Sequence, residues 1–180
     1  MECFARYDSP VGELILTGDG NCLTGIWMNY RVSPNAIPGD NCPVFNRTRA
    51  WLDLYFRGEN PPIEKIPLAP EGTAFQQKVW KILLRIPYGE TRTYGDIARE
   101  MAALLGKEKM SAQAVGQAVG RNPISILIPC HRVVGAMGQL TGYAGGLEKK
   151  TWLLRHEGWL KEEENDHQRL SAPCHEDTES

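Results

Sequence analysis

Cys130 is the residue of this chain best placed to do chemistry. It stands in Pro129-Cys130-His131-Arg132, directly after the apolar run Ile126-Leu127-Ile128. A free thiol has a pKa near 8.5, so only about a tenth is thiolate near neutral pH. A neighbouring imidazole, acting as base directly or through a water, raises the reactive fraction. The histidine in turn needs an orienting partner, and Glu157 is the best candidate. It falls in the last turn of an expected helix, where the macrodipole disfavours an acid by up to about 1 kcal/mol. A hydrogen bond from a histidine ring would offset that. Taken singly, each signal has a plainer reading. A buried cysteine beside a histidine is commonly packing, and an acid at a helix end is commonly just exposed. Only the combination makes a relay.

The elements that would hold these groups can be traced along the second half of the chain. Thr73 and Gln76 have the spacing of a capping box ahead of the stripe Phe75, Val79, Ile82, Leu83 and Ile86, which Pro87 ends. A second helix starts at Thr93, with Asp96 in its first turn and a stripe of Tyr94, Ile97, Met101 and Leu104 or Leu105, and Gly106 closes it. A short connection, 107–110, leads to a third helix over 112–119, capped by Ser111. Short helices around a tight turn resemble a helix-turn-helix. Val115 and Val119 of the third helix would face the core, while Gln113, Gly116, Gln117 and Gly120 form the opposite face. Each glycine costs about 0.8–1.0 kcal/mol of helix stability relative to alanine. Two on an exposed face suit close approach by a narrow groove; tight packing against another helix is the alternative. Asn122-Pro123 breaks this helix, and 124–128 reads as a short buried strand leading to Cys130. A glycine-rich loop over 135–146 surrounds Tyr143, and a last helix over 148–156 is stopped by Gly158.

The first third reads differently. Two β-rich runs, 11–17 and 22–28, flank a Gly/Asp/Asn cluster and predict a hairpin. Residues 31–43 hold three prolines and read as loop; 47–56 places Ala50, Trp51, Leu54 and Tyr55 at helical spacing, with Gly58 as the stop. Prolines 61, 62, 67 and 70 give linker composition. The expected fold is therefore α/β in the α+β sense. An N-terminal domain over 1–70 has a small antiparallel sheet and a helix. A mostly helical C-terminal domain over 71–160 carries the helix-turn-helix and the short strand to Cys130. An acidic, disordered tail spans 161–180.

Charge follows this division. Residues 1–73 carry six basic and nine acidic side chains, 74–160 twelve and six, and 161–180 two and seven. The basic middle is where a polyanion would bind. No unbroken apolar run, 126–128 included, comes near the length of a membrane span, and the first residues carry no secretory pattern. Five cysteines without a CxxC pair argue for reduced thiols. The expectation is a cytoplasmic protein, nuclear if the source is eukaryotic. All four histidines (131, 156, 167, 175) lie at or beyond Cys130, and Cys3, Cys22 and Cys42 alone would make an incomplete tetrahedral site. No metal and no cofactor are expected.

Pro129-Cys130-His131-Arg132-Val133, preceded by Asn122-Pro123-Ile124-Ser125-Ile126-Leu127-Ile128, resembles the active-site signature of the O6-alkylguanine-DNA alkyltransferases, also called methylated-DNA–protein-cysteine methyltransferases. Ile86-Pro87-Tyr88-Gly89 through Thr93-Tyr94-Gly95-Asp96-Ile97-Ala98 resembles the family's first helix-turn-helix segment. Gly142-Tyr143-Ala144-Gly145-Gly146 and Trp152 to Gly158 resemble its substrate loop and final helix. The likeness is close over 73–160 and weaker before it, where Ser9-Pro10-Val11-Gly12 and Tyr55-Phe56-Arg57-Gly58 still fit.

The resemblance implies direct-reversal DNA repair by a monomer on double-stranded DNA. Cys130 would be nucleophile and permanent alkyl acceptor, His131 would deprotonate it through a water, and Glu157 would hold His131. Tyr94 would donate a hydrogen bond or proton toward the leaving guanine. Tyr143, Ala144 and Val133 would line the substrate pocket, and Asn122 would tie the recognition helix to the Cys130 turn. Ala112, Gln113, Gly116, Gln117 and Arg121 would meet the minor groove as the damaged O6-alkylguanine, or an O4-alkylthymine, is flipped out. A thioether is a poor leaving group, so each molecule would act once. At the position of Gln113 the family usually carries an arginine that fills the gap left by the flipped base. Glutamine lacks that charge and planar fork, which predicts weaker repair of duplex DNA. Two other readings compete. A lesion-binding helix-turn-helix protein would lack the acceptor cysteine, and a cysteine hydrolase would leave the helix-turn-helix and the glycine face unexplained.

Overall fold

The computed structural model describes residues 2–161, and the expected acidic tail beyond Lys161 lies outside them. The chain divides into two compact units. One runs to Thr73 and includes Asn122–Ile128; the other comprises Ala74–Arg121 and the chain from Pro129 onward.

The first unit is built on a four-stranded sheet of order β3-β2-β1-β4, with β1 at Cys3–Ser9, β2 at Gly12–Gly18, β3 at Leu23–Met28 and β4 at Ile37–Pro38. The expected β2–β3 hairpin is present, with Leu14 opposite Met28 and Leu16 opposite Ile26. The sheet is mixed rather than wholly antiparallel, because β4 runs parallel to β1 from within the proline-containing loop. Helix α1, Pro43–Phe56, starts four residues earlier than expected. Pro43 opens it, and a proline at a helix start loses no hydrogen bond. Its buried face is Val44, Phe45, Thr48, Trp51, Leu52 and Tyr55, so Ala50 lies outside the core.

The segment Asn122–Ile128 is buried as expected but is not a strand. It makes a single bridge, Ile124 to Ile26, and then turns tightly, with Leu127 N donating to Ser125 O at 2.9 Å and Ile128 N to Ile124 O at 3.0 Å. Ile126 sits at φ 73°, a costly conformation for a β-branched residue. The Asn122 side chain locks the turn, donating to Ile128 O at 2.8 Å and accepting from Ile124 N at 2.9 Å. A short apolar run fits a buried turn as well as a buried strand, and periodicity alone does not separate them.

The second unit contains α2 (Ala74–Leu83), β5 (Arg92–Thr93), α3 (Tyr94–Leu104), α4 (Ala112–Gly120), β6 (Val133–Val134) and α5 (Leu147–His156). Helix α3 opens with a capping box in which the Thr93 side chain accepts from Asp96 N and Asp96 accepts from Thr93 N, both at 3.0 Å. Ile97, Ala98, Met101 and Ala102 form its buried face, whereas Leu104 is 60% exposed. Ser111 caps α4 through Ala114 N at 3.1 Å. Trp80 of α2, absent from the expected stripe, is buried and donates to Ala118 O of α4 at 2.9 Å. Strands β5 and β6 pair in parallel, Arg92 with Val133 and Thr93 with Val134, which brings the start of α3 beside the residues that follow Cys130. Among the described residues no helix is long and apolar enough to cross a membrane.

Candidate active site

Cys130 opens a single 3-10 turn, Cys130–Arg132, wedged between Pro129 and β6. It is 5% exposed, and His131 beside it is fully buried. The His131 ring contacts Glu157 at 2.7 Å, Nε2 to Oε2. An ionised carboxylate only accepts, so Nε2 carries the hydrogen and donates it, which leaves Nδ1 as the basic nitrogen. That Nδ1 is buried and meets no hydrogen-bond partner among the described residues. Burial pushes the imidazole below its ordinary pKa of 6.5; Glu157 opposes this, and Arg132 and Lys150 reinforce it. His131 is therefore a neutral imidazole with a free acceptor nitrogen, the form a general base requires.

Glu157 follows α5 as its C-cap. The dipole penalty there is offset by more than the histidine. Arg132 grips the carboxylate with both arms, Nε to Oε1 at 2.8 Å and one terminal nitrogen to Oε2 at 3.0 Å, and Gly89 N adds a contact at 3.2 Å. Burial alone would raise this carboxyl, but the charges and hydrogen bonds of His131 and Arg132 hold it far below the usual carboxylate range. The second terminal nitrogen of Arg132 donates to Ile86 O at 2.7 Å, so the arginine also anchors the chain after α2. Fork-to-carboxylate pairing of this kind is strong and directional.

Tyr94, the first residue of α3, donates its hydroxyl to Thr141 O at 3.3 Å. Burial raises its phenol above the ordinary value of 10.0, and electrostatic coupling to Cys130 acts in the same direction. It thus stays a protonated donor near the sulfur. Lys150 of α5 is fully buried and donates to Val133 O and Thr141 O, both at 2.7 Å, and to Gly142 O at 3.0 Å. It thereby ties the loop after β6 to β6 itself.

Other residues singled out in the sequence are placed less centrally. Val133 is fully buried and offers its carbonyl to Lys150. Tyr143 is half-buried and Ala144 exposed on the loop before α5. Asn122 belongs to the other unit, where it clamps the turn that runs into Pro129. Ala112, Gln113, Gln117 and Arg121 are exposed along α4, and Gly116 is half-buried. A Cβ at Gly116 would stand 3.7 Å from the Tyr94 ring, an ordinary contact, and one at Gly120 would meet open space. Packing inside the protein therefore does not demand either glycine. Among the described residues no group of three or more His, Cys, Asp and Glu side chains is placed to hold a metal ion.

Sequence reasoning gave no role to Arg132 or Lys150. Arg132 carried no signal beyond adjacency to His131. Lys150 did carry one: it shares a helical face with Leu153, Leu154 and Glu157, an i, i+3, i+4, i+7 pattern in which a lysine is out of place.

Comparison with known proteins resolves the class. The family model "6-O-methylguanine DNA methyltransferase, ribonuclease-like domain" matches residues 3–70, and the model "6-O-methylguanine DNA methyltransferase, DNA binding domain" matches 74–159. The chain belongs to the methylated-DNA–protein-cysteine methyltransferase family. The enzyme of that name from Haemophilus influenzae is 45% identical over 157 residues, which span 86% of this chain and 85% of the relative. That from Mycobacterium leprae is 48% identical over 153 residues, 83% of this chain and 88% of the relative. Among solved structures, Mycobacterium tuberculosis OGT in complex with DNA superposes with a TM-score of 0.76 at 45% identity, covering 86% of this chain and 91% of that one.

Proposed function

We propose that this protein repairs alkylated DNA by transferring the alkyl group of an O6-alkylguanine to Cys130, once per molecule and without a cofactor. The observation that carries the reading is the protonation geometry of His131: Nε2 is committed to Glu157, and Nδ1 is buried with its lone pair unspent. Such a nitrogen takes the proton of the adjacent thiol, directly or through a water. The thiolate attacks the alkyl carbon; the S–C bond forms, the C–O6 bond breaks, and its electron pair passes to the guanine, which takes up a proton. Tyr94 donates toward the base as that charge develops. Tyr143 and Ala144 line the pocket, and the α4 face of Ala112, Gln113, Gly116, Gln117 and Arg121 enters the minor groove. The basic composition of 74–160 supports phosphate binding with little sequence preference. The 1–70 and 71–160 segments act as one monomer, in the cytoplasm or, in a eukaryote, the nucleus.

The test is mass spectrometry after incubation with a duplex oligonucleotide containing O6-methylguanine. The intact protein is expected to gain one methyl group, located on the Cys130 peptide, in a single stoichiometric burst. Cys130→Ala is expected to gain none; lesion removal undiminished in that variant overturns the assignment.

A further inference from the structure

Lys150 is a full positive charge sealed inside the protein, and its partners are all neutral. Three carbonyl oxygens, of Val133, Thr141 and Gly142, receive its hydrogens, and the Tyr94 ring centroid lies 5.9 Å from Nζ. Among the described residues no carboxylate meets it. Glu157 is committed to Arg132 and His131, Asp96 to Thr93 and Arg99, and Glu100 to Arg85 and Arg92; Glu148, at the start of α5, is exposed. Burying an ammonium without an anion costs several kcal/mol even after relaxation. A core that wanted only packing at this position would hold an aliphatic side chain.

The Tyr94 ring of α3 is the ionisable group that Lys150 touches, and Cys130 and His131 of the 3-10 turn are coupled to it electrostatically. Tyr94 resists ionisation, and His131 is disfavoured from becoming a second cation by Lys150 itself. Cys130 alone remains to supply a negative charge, and it lies three residues before the Val133 carbonyl that Lys150 grips.

We propose that Lys150 is the counter-ion of the Cys130 thiolate, a positioning residue that sets the charge state of the nucleophile while holding the 141–142 loop in place. The proposal rests on the reading of Cys130 as alkyl acceptor. It divides the buried charges into two neutral pairs, Arg132 with Glu157 and Lys150 with Cys130, and leaves His131 neutral again once the thiol proton it takes has been handed on. Burial lowers the Lys150 ammonium to about 8 while Cys130 opposes the fall. Alkylation then has a defined consequence. The sulfur's electron pair goes into the S–C bond, the guanine takes one proton, and Lys150, now without an anion, gives one up more readily.

The experiment measures alkylation of Cys130 by iodoacetamide across pH in the full chain, read on the Cys130 peptide so that the other thiols do not count. Wild type is compared with Lys150→Met and Lys150→Arg. Loss of the charge is expected to raise the reactivity midpoint by about one pH unit or more, roughly tenfold slower reaction at neutral pH, with the limiting rate at high pH kept. Lys150→Arg is expected to restore most of the midpoint. A midpoint in Lys150→Met equal to that of wild type, whatever the rate, overturns the proposal and leaves Lys150 as scaffold only. Should Lys150→Met not fold, the wild-type protein decides. NMR of 13Cε-lysine, with the Lys150 signal assigned by its absence in Lys150→Arg, should show its titration midpoint falling when Cys130 is methylated; an unchanged midpoint refutes the pair. Failure of the acceptor reading is a separate result: no methyl gain on the Cys130 peptide from alkylated duplex, in any variant.

Discussion

Two regions of the second unit obey opposite rules. Around Cys130 the chain buries His131, Arg132, Lys150 and Glu157, four ionisable side chains in a space where each costs free energy. Along the outer face of α4 it exposes Gln113, Gln117 and Gly120 and leaves Gly116 half-buried, four residues without charge and two without side chains. The first region removes water from charges so that they act strongly on one sulfur. The second lacks bulk on one helix face, the feature on which the proposed approach of DNA to its backbone rests. Tyr94 joins the two: its ring lies against the Gly116 position, and its hydroxyl reaches the Thr141 carbonyl shared with Lys150. Chemistry and access are thus held apart by one aromatic ring.

The buried region should fail abruptly when its charges are unbalanced. Arg132→Met strands Glu157 and is expected to lower unfolding free energy by about 3–5 kcal/mol in urea denaturation. The double variant Arg132→Met/Glu157→Leu removes both charges together and is expected to recover most of that stability while remaining inactive. If the double variant is no more stable than the single one, the two charges are not a pair. Glu157→Gln keeps the shape and removes the charge that orients His131. It is expected to slow methyl transfer by about a hundredfold or more in single-turnover assays, with the sharpest loss where the imidazole must act as base.

Acid reaches the same region through His131. Its folded pKa lies below 6.5, so the unfolded chain binds that proton more readily. Stability is therefore fully kept above pH 6.5 and falls as pH drops through 6.5 toward the folded value, by up to about 1.4 kcal/mol per pH unit. Glu157, with its pKa depressed, adds a second loss that begins below its ordinary 4.5. Unfolding curves across pH 4–8 on wild type and His131→Gln check the first window, which the variant should lack.

How much of this was legible beforehand depends on the kind of force at work. The helix start at Thr93 with Asp96 in its first turn and the β2–β3 hairpin were readable because caps and turn residues act over a few positions, and Glu157 was readable as the partner of His131 because an acid at a helix end calls for one. The turn at Ile126 was not, because its positive φ is imposed by tertiary packing and the Asn122 clamp, and an apolar run looks alike in a strand and in a buried turn. Arg132 was missed because nothing in its own type or position calls for burial, whereas Glu157 drew notice as an acid at a helix end. Lys150 was visible as a misplaced lysine, but its meaning depends on carbonyls that only the folded loop brings together.

The exposed face should respond by degrees. Gln113→Arg supplies the charge and fork that the family usually carries there, worth about 1.5–3 kcal/mol for a hydrogen bond to a charged group. The repair rate on duplex DNA is expected to rise about tenfold, while reaction with free O6-alkylguanine base stays the same. An unchanged duplex rate refutes the finger role of position 113.

Gly116→Ala gives the smallest effect and the cleanest separation of access from folding. The added methyl falls 3.7 Å from the Tyr94 ring, so it clashes with nothing inside the protein, and the helix gains about 0.8–1.0 kcal/mol from the lost glycine. A purely structural glycine would give a variant that is more stable and equally active on every substrate. A glycine kept for close approach gives a variant that is more stable, equally reactive toward free base, and several-fold weaker in duplex binding. Denaturation, free-base transfer and duplex titration on this one variant distinguish those outcomes. Duplex affinity equal to wild type would mean that DNA does not press on α4 at this point, and of the two glycines only Gly120 would then be left to support the contrast between the two regions.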